Sequence, residues 1–128
     1  MGGLDPPIQL HFLEQAMAFT PRLKAGIFVR ALVRRAEVAG ASAYVVRKGN
    51  EEAGALIIKV SRLDGTCLVL NQARAGEGQL VWARPLGDWM EEAKAQAWLD
   101  KQIKFDPDLW ILEIEDRQGR AFVDEPIV

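Results

Sequence analysis

A chain of 128 residues with 49% apolar and 27% charged side chains and a formal net charge of −2 has the makeup of a globular unit built on one core. That balance excludes intrinsic disorder and a disulfide scaffold. Cys67 is the only cysteine, which rules out an internal disulfide and every multi-cysteine zinc or iron–sulfur pattern and suits a reducing compartment.

Residues 1–19 carry Asp5 and Glu14, no basic residue and no unbroken apolar stretch, so they do not read as a secretory signal. No run approaches the ~18 apolar residues of a membrane-spanning helix. The cytoplasm is the expected setting, without membrane association. Ile8, Phe12, Leu13, Ala16 and Met17 recur at helical spacing, so this N-terminal extension reads either as a short amphipathic helix docked on the chain or on a second copy, or as a frayed terminus. Met17 is an alternative start.

Thr20 and Pro21 suit the N-cap and first turn of a helix carrying Leu23, Ile27, Phe28, Ala31, Leu32 and Arg35, closed by Gly40 as its C′ residue. The period then changes to two, predicting strands at 44–47, 55–61, 66–72 and 80–84. Lys48-Gly49-Asn50, Leu63-Asp64-Gly65 and Ala75-Gly76-Glu77-Gly78 separate them and are short enough for hairpins, which predicts a four-strand antiparallel meander. Pro85 ends the fourth strand, and Asp88 with Glu91 has the form of a capping box for a second helix with Ala95, Trp98, Leu99 and Ile103 inward. Pro107 stops that helix. A fifth strand follows at 109–115, then a turn, a short edge strand at 121–123 and a loose tail at 124–128. The predicted fold is α+β, a two-layer domain over residues 20–123 in the order α-β-β-β-β-α-β. Its sheet is mainly antiparallel and both helices lie on one face.

Catalytic constellations are scarce. His11 is the only histidine, with no companion for a triad or a metal, and no phosphate-cradling glycine motif occurs. Asp106 and Asp108 flank Pro107, and Glu113 and Glu115 project from one face of the fifth strand. These four carboxylates suggest a Mg²⁺ site for a phosphoester-acting enzyme, against the plainer reading of a capping turn and a solvated strand face, which prevails. No cofactor is expected.

Charge is unevenly placed: seven basic against three acidic residues in 1–50 give +4, and nine against fifteen in 51–128 give −6. Arg30, Arg34 and Arg35 make the first helix basic on one side, able to meet phosphates or an acidic partner, although a pI near 5.4 disfavours a dedicated nucleic-acid binder. Of the four tryptophans, Trp98 and Trp110 fit the core, while Trp82, Arg84 and Trp89 cluster around Pro85-Leu86-Gly87 as a candidate contact edge. The expected function is therefore a non-enzymatic binding module, with a protein partner or self-association favoured over nucleic acid.

Several motifs together carry a family resemblance. Pro21-Arg22-Leu23-Lys24, Val46-Arg47-Lys48-Gly49 with Ala53-Gly54, Arg62-Leu63-Asp64-Gly65, Phe105-Asp106-Pro107-Asp108-Leu109-Trp110 and Glu113-Ile114-Glu115-Asp116-Arg117 resemble the bacterial family called domain of unknown function 1491. The resemblance spans about residues 20–123 and implies a cytoplasmic bacterial protein. It implies no activity and no catalytic residue.

Overall fold

The structure, a computed structural model, describes residues 23–128; the leader helix, His11, Met17 and the Thr20–Pro21 cap lie outside them. The elements are α1 (Ala25–Val38), β1 (Ser42–Arg47), β2 (Leu56–Ser61), β3 (Thr66–Ala75), β4 (Gln79–Ala83), β5 (Met90–Glu91), α2 (Glu92–Phe105) and β6 (Trp110–Glu115). The class is α+β as expected. The sheet has six strands rather than five and is mixed, in the order β1-β6-β2-β3-β4 with β5 against β3.

The meander is confined to β2, β3 and β4. β6 inserts between β1 and β2, antiparallel to the first and parallel to the second. The reason lies in the loop between β1 and β2, which closes no hairpin but lies across the approach to β6. Asn50 donates its N–H to the Asp108 carbonyl at 2.9 Å, and the Trp110 indole donates back to the Asn50 carbonyl at 2.7 Å. A Cβ on Gly49 or Gly54 would stand 2.2 or 2.3 Å from the Asp108 oxygen, so both glycines are dictated by close backbone approach.

The helices do not share a face. Leu56, Ile58 and Val60 of β2 join Leu68, Leu70, Leu112 and Ile114 beneath Val29, Leu32 and Ala36 of α1. The intervening Ile57 joins Cys67, Val69, Leu109 and Ile111 beneath Ala95 and Leu99 of α2. Every residue of β2 is buried, as happens when both faces of a sheet are covered. The architecture is therefore three layers, helix–sheet–helix, and the apolar runs of the central strands are its cause. Burial of each such Leu or Ile contributes about 1.5–3 kcal/mol.

Helix ends follow tertiary contacts more than side-chain caps. The Ala25 and Gly26 N–H groups at the start of α1 donate to the carbonyls of Glu52 and Glu51, at 3.2 and 2.9 Å. Gly40, with φ of 92°, closes α1 as expected. The predicted capping box does not form. Glu91 belongs to β5, paired with Thr66, and Asp88 Oδ1 accepts only the adjacent Trp89 N–H. Residues 121–123 form no strand. The tail is not loose either: Trp82 N–H donates to the Pro126 carbonyl at 2.8 Å and Val128 N–H to the Trp82 carbonyl at 2.9 Å, laying the terminus along β4.

Candidate interaction site

The predicted contact residues are largely spoken for within the chain. On α1, Arg30 Nη2 meets Glu51 Oε1 at 2.7 Å, and this ion pair holds the Glu51 carboxyl below its ordinary range. Arg35 Nη1 lies 3.4 Å from Asp124 Oδ2. Arg34 is exposed and makes no ion pair among the described residues. The basic stripe is thus mostly neutralised.

Trp82 is fully buried at 0% exposure, tilted against Phe28 with ring centroids 6.3 Å apart, and its indole donates to Glu125 Oε1 at 3.0 Å. It is a core residue beneath the tail, so the expected exposed tryptophan edge does not exist at this position. Arg84 is exposed and binds the Val128 carbonyl at 3.0 Å. Trp89 is half-buried, with the Arg62 guanidinium 3.8 Å above its ring. Trp110 is buried as expected, whereas Trp98 is only half-buried.

The four carboxylates do not converge. Asp106 Oδ1 accepts the Asp108 N–H at 3.0 Å in the turn before β6, whereas Glu113 sits five residues beyond Asp108, roughly 16 Å along an extended chain. Glu113 and Glu115 do share a face, as the strand period required. Among the described residues no group of three His, Cys, Asp or Glu side chains could hold a metal ion.

What surrounds Glu113 was not anticipated. Tyr44, Glu113 and Lys59 stand in register across β1, β6 and β2, forming a polar row on the α2 face of the sheet. The Tyr44 hydroxyl donates to Glu113 Oε2 at 2.8 Å, and Lys59 Nζ lies 2.9 Å from Glu92 Oε1 and 3.5 Å from Glu113 Oε1. Burial, reinforced by Glu113, pushes the Tyr44 phenol up to about 12. Burial by itself would lower the Lys59 ammonium, but contact with Glu92 and Glu113 outweighs it and holds the pKa above its ordinary value. Burial raises the neighbouring Cys67 thiol. The one available signal was Lys59 itself, a charge inside the otherwise apolar run Leu56-Ile57-Ile58-Lys59-Val60.

Tyr44 also lies on an edge strand of the sheet. β1 pairs only with β6, leaving its other side without a partner among the described residues, and Tyr44, Val45 and Val46 are 45%, 40% and 50% exposed. The opposite edge, β4, is covered by the chain's own tail. The two sheet edges are thus treated differently.

Residues 23–124 match the family model described as "Protein of unknown function (DUF1491)". The fold is similar to the crystal structure of a DUF1491 family protein from Caulobacter crescentus CB15, at 42% identity, 83% coverage of this chain, 99% of that chain and a TM-score of 0.78. An NMR structure of a DUF1491 family protein from the same organism matches at 42% identity, covering 83% and 96%, with a TM-score of 0.73. A solution structure of a protein from A. tumefaciens matches at 30% identity, covering 81% and 94%, with a TM-score of 0.69. No curated protein matches.

Proposed function

The chain belongs to the DUF1491 family, described as of unknown function, and on that footing we propose that it is a non-enzymatic interaction module that accepts an extended protein strand along β1. The supporting observation is the asymmetry between the sheet edges: residues 126–128 cover β4, whereas among the described residues no strand pairs with the outer side of β1, where Tyr44, Val45 and Val46 are exposed. Exposed edges are ordinarily blunted, and an open apolar one is a template for strand addition, in which main-chain hydrogen bonds supply affinity and alternate side chains supply selectivity. A bulge between Val45 and Arg47 restricts regular pairing to residues 42–45. A cytoplasmic setting is part of the proposal, and the single buried free thiol is compatible with it. Among the described residues, no helix is long and apolar enough to cross a membrane.

Val45→Lys tests the reading, because a charge on a strand edge opposes pairing while an exposed substitution changes stability by only about 0.5 kcal/mol. A protein recovered with the parent chain and lost with Val45→Lys at unchanged stability is the expected result. Equal recovery by both chains refutes the assignment of β1.

A further inference from the structure

A cleft of about 180 Å³ opens at the other end of the sheet, between the C-terminal half of α2 and the start of β2. Its walls combine an aromatic and apolar part, Trp98 and Leu109, with the polar side chains of Asn71, Gln72, Gln102 and Asp106. We infer that this cleft binds a small planar cation of the guanidinium or amidinium class, lying against Trp98 with its N–H groups directed at Asp106 and the Gln102 amide oxygen. The β1 edge plays no part in this assignment.

Acceptors are in excess at the site. Asp106 uses Oδ1 for the Asp108 N–H, and no cation among the described residues pairs with its carboxylate. Asn71, which lines the cleft, has a buried Oδ1 with no hydrogen-bond partner, the only such side-chain atom among the described residues. The C-terminal end of α2 adds its own partial negative charge, since its last carbonyls lack helical partners.

Shape selects among cations. Trp98, Gln102 and Phe105 follow one another at i, i+4 and i+7, along one stripe of α2, and Phe105 is 82% exposed. The half-buried Trp98 indole in the cleft wall favours a flat, weakly hydrated cation over a compact ammonium. Guanidinium stacks on aromatic faces and forks its donors between carboxylate and amide oxygens, whereas an alkylammonium is a strongly hydrated point charge.

The test is a ¹⁵N-NMR titration of the full chain, read at the Trp98 indole and at the backbone amides of Gln72 and Gln102. Three probes are used: agmatine, the blocked peptide acetyl-Gly-Arg-Gly-amide, and n-butylammonium. Saturable shifts with agmatine or the peptide, and weaker binding of n-butylammonium, are the expected result. The tighter of the first two tells a free small cation from the arginine of a partner chain. Asp106→Asn keeps the oxygen that accepts the Asp108 N–H and should weaken binding about fivefold, the upper range for a half-exposed ion pair. Trp98→Leu, followed at the two amides, should weaken it roughly two- to fivefold. Shifts that never saturate, n-butylammonium binding as tightly as agmatine, or Asp106→Asn binding agmatine like the parent would each overturn the proposal.

Discussion

Replacing Lys59 by Met tests the physical account of the polar row. The Lys59 side chain is 6% exposed and stands between Glu92, 48% exposed, and Glu113, 11% exposed. Methionine fills the same space but leaves the Glu113 carboxylate buried beside the sheet with only the Tyr44 hydroxyl, while Glu92 turns to water. Removing one partner of a buried ion pair costs about 3–5 kcal/mol, and the freedom of Glu92 puts the expected loss near the lower end, about 3 kcal/mol. In urea at neutral pH, with a slope of about 1–3 kcal/mol per molar, the unfolding midpoint should fall by about 1–3 M. The double variant Lys59→Met/Glu113→Leu removes both buried charges and should return to within about 1 kcal/mol of the parent, since an apolar pair of similar volume commonly replaces a buried ion pair without loss. A single variant as stable as the parent, or a double variant no better than the single, would refute the account.

Tyr44 is the only tyrosine, so phenolate absorbance reports it alone; its midpoint should lie at about 12 in the native chain and fall towards 10 in Glu113→Gln. A native midpoint near 10 would exclude the hydrogen bond to Glu113. Because this pKa is raised on folding, its contribution to stability is complete below pH 10 and is lost as pH climbs from 10 to about 12. Tyr44→Phe should therefore flatten the fall of urea stability with pH in that window. Gly49→Ala and Gly54→Ala should each destabilise by about 1–3 kcal/mol, because the added methyl meets the Asp108 carbonyl; thermal unfolding checks this, and unaltered melting would mean that the loop moves aside. Deleting residues 126–128 uncovers Trp82 and the β4 edge, and light scattering should then detect more self-association than in the full chain.

Most elements were legible because each has its own period: both helices and the strands at β1 to β4 and β6 appear close to their expected positions. Their arrangement was not, because strand order depends on contacts between distant residues. Nothing in Lys48-Gly49-Asn50 states that the loop continues to Gly54 and lies on Asp108, and without that contact β1 and β2 read as a hairpin. The second covered face was encoded in Leu56-Ile57-Ile58 and in Leu109 to Leu112, where adjacent residues are both apolar; an alternating reading hid it. Trp82 was misplaced because its cover is the terminal segment, which composition alone marks as loose. The polar row escaped notice since Tyr44, Lys59, Glu92 and Glu113 come from four elements and only register brings them together.

The central place of β6 bears on how the chain acquires this structure during synthesis. β1 and β2 are made early, yet the gap between them is filled by residues 110–115, which follow all the other strands. The hairpins from β2 to β4 can form on a nascent chain, but β1 has no strand to pair with until residues 110–115 have left the ribosome. A product truncated before Trp110 would leave β1 without a strand to pair with and would expose the β2 edge of the β2–β4 sheet. Such fragments should be short-lived or chaperone-bound.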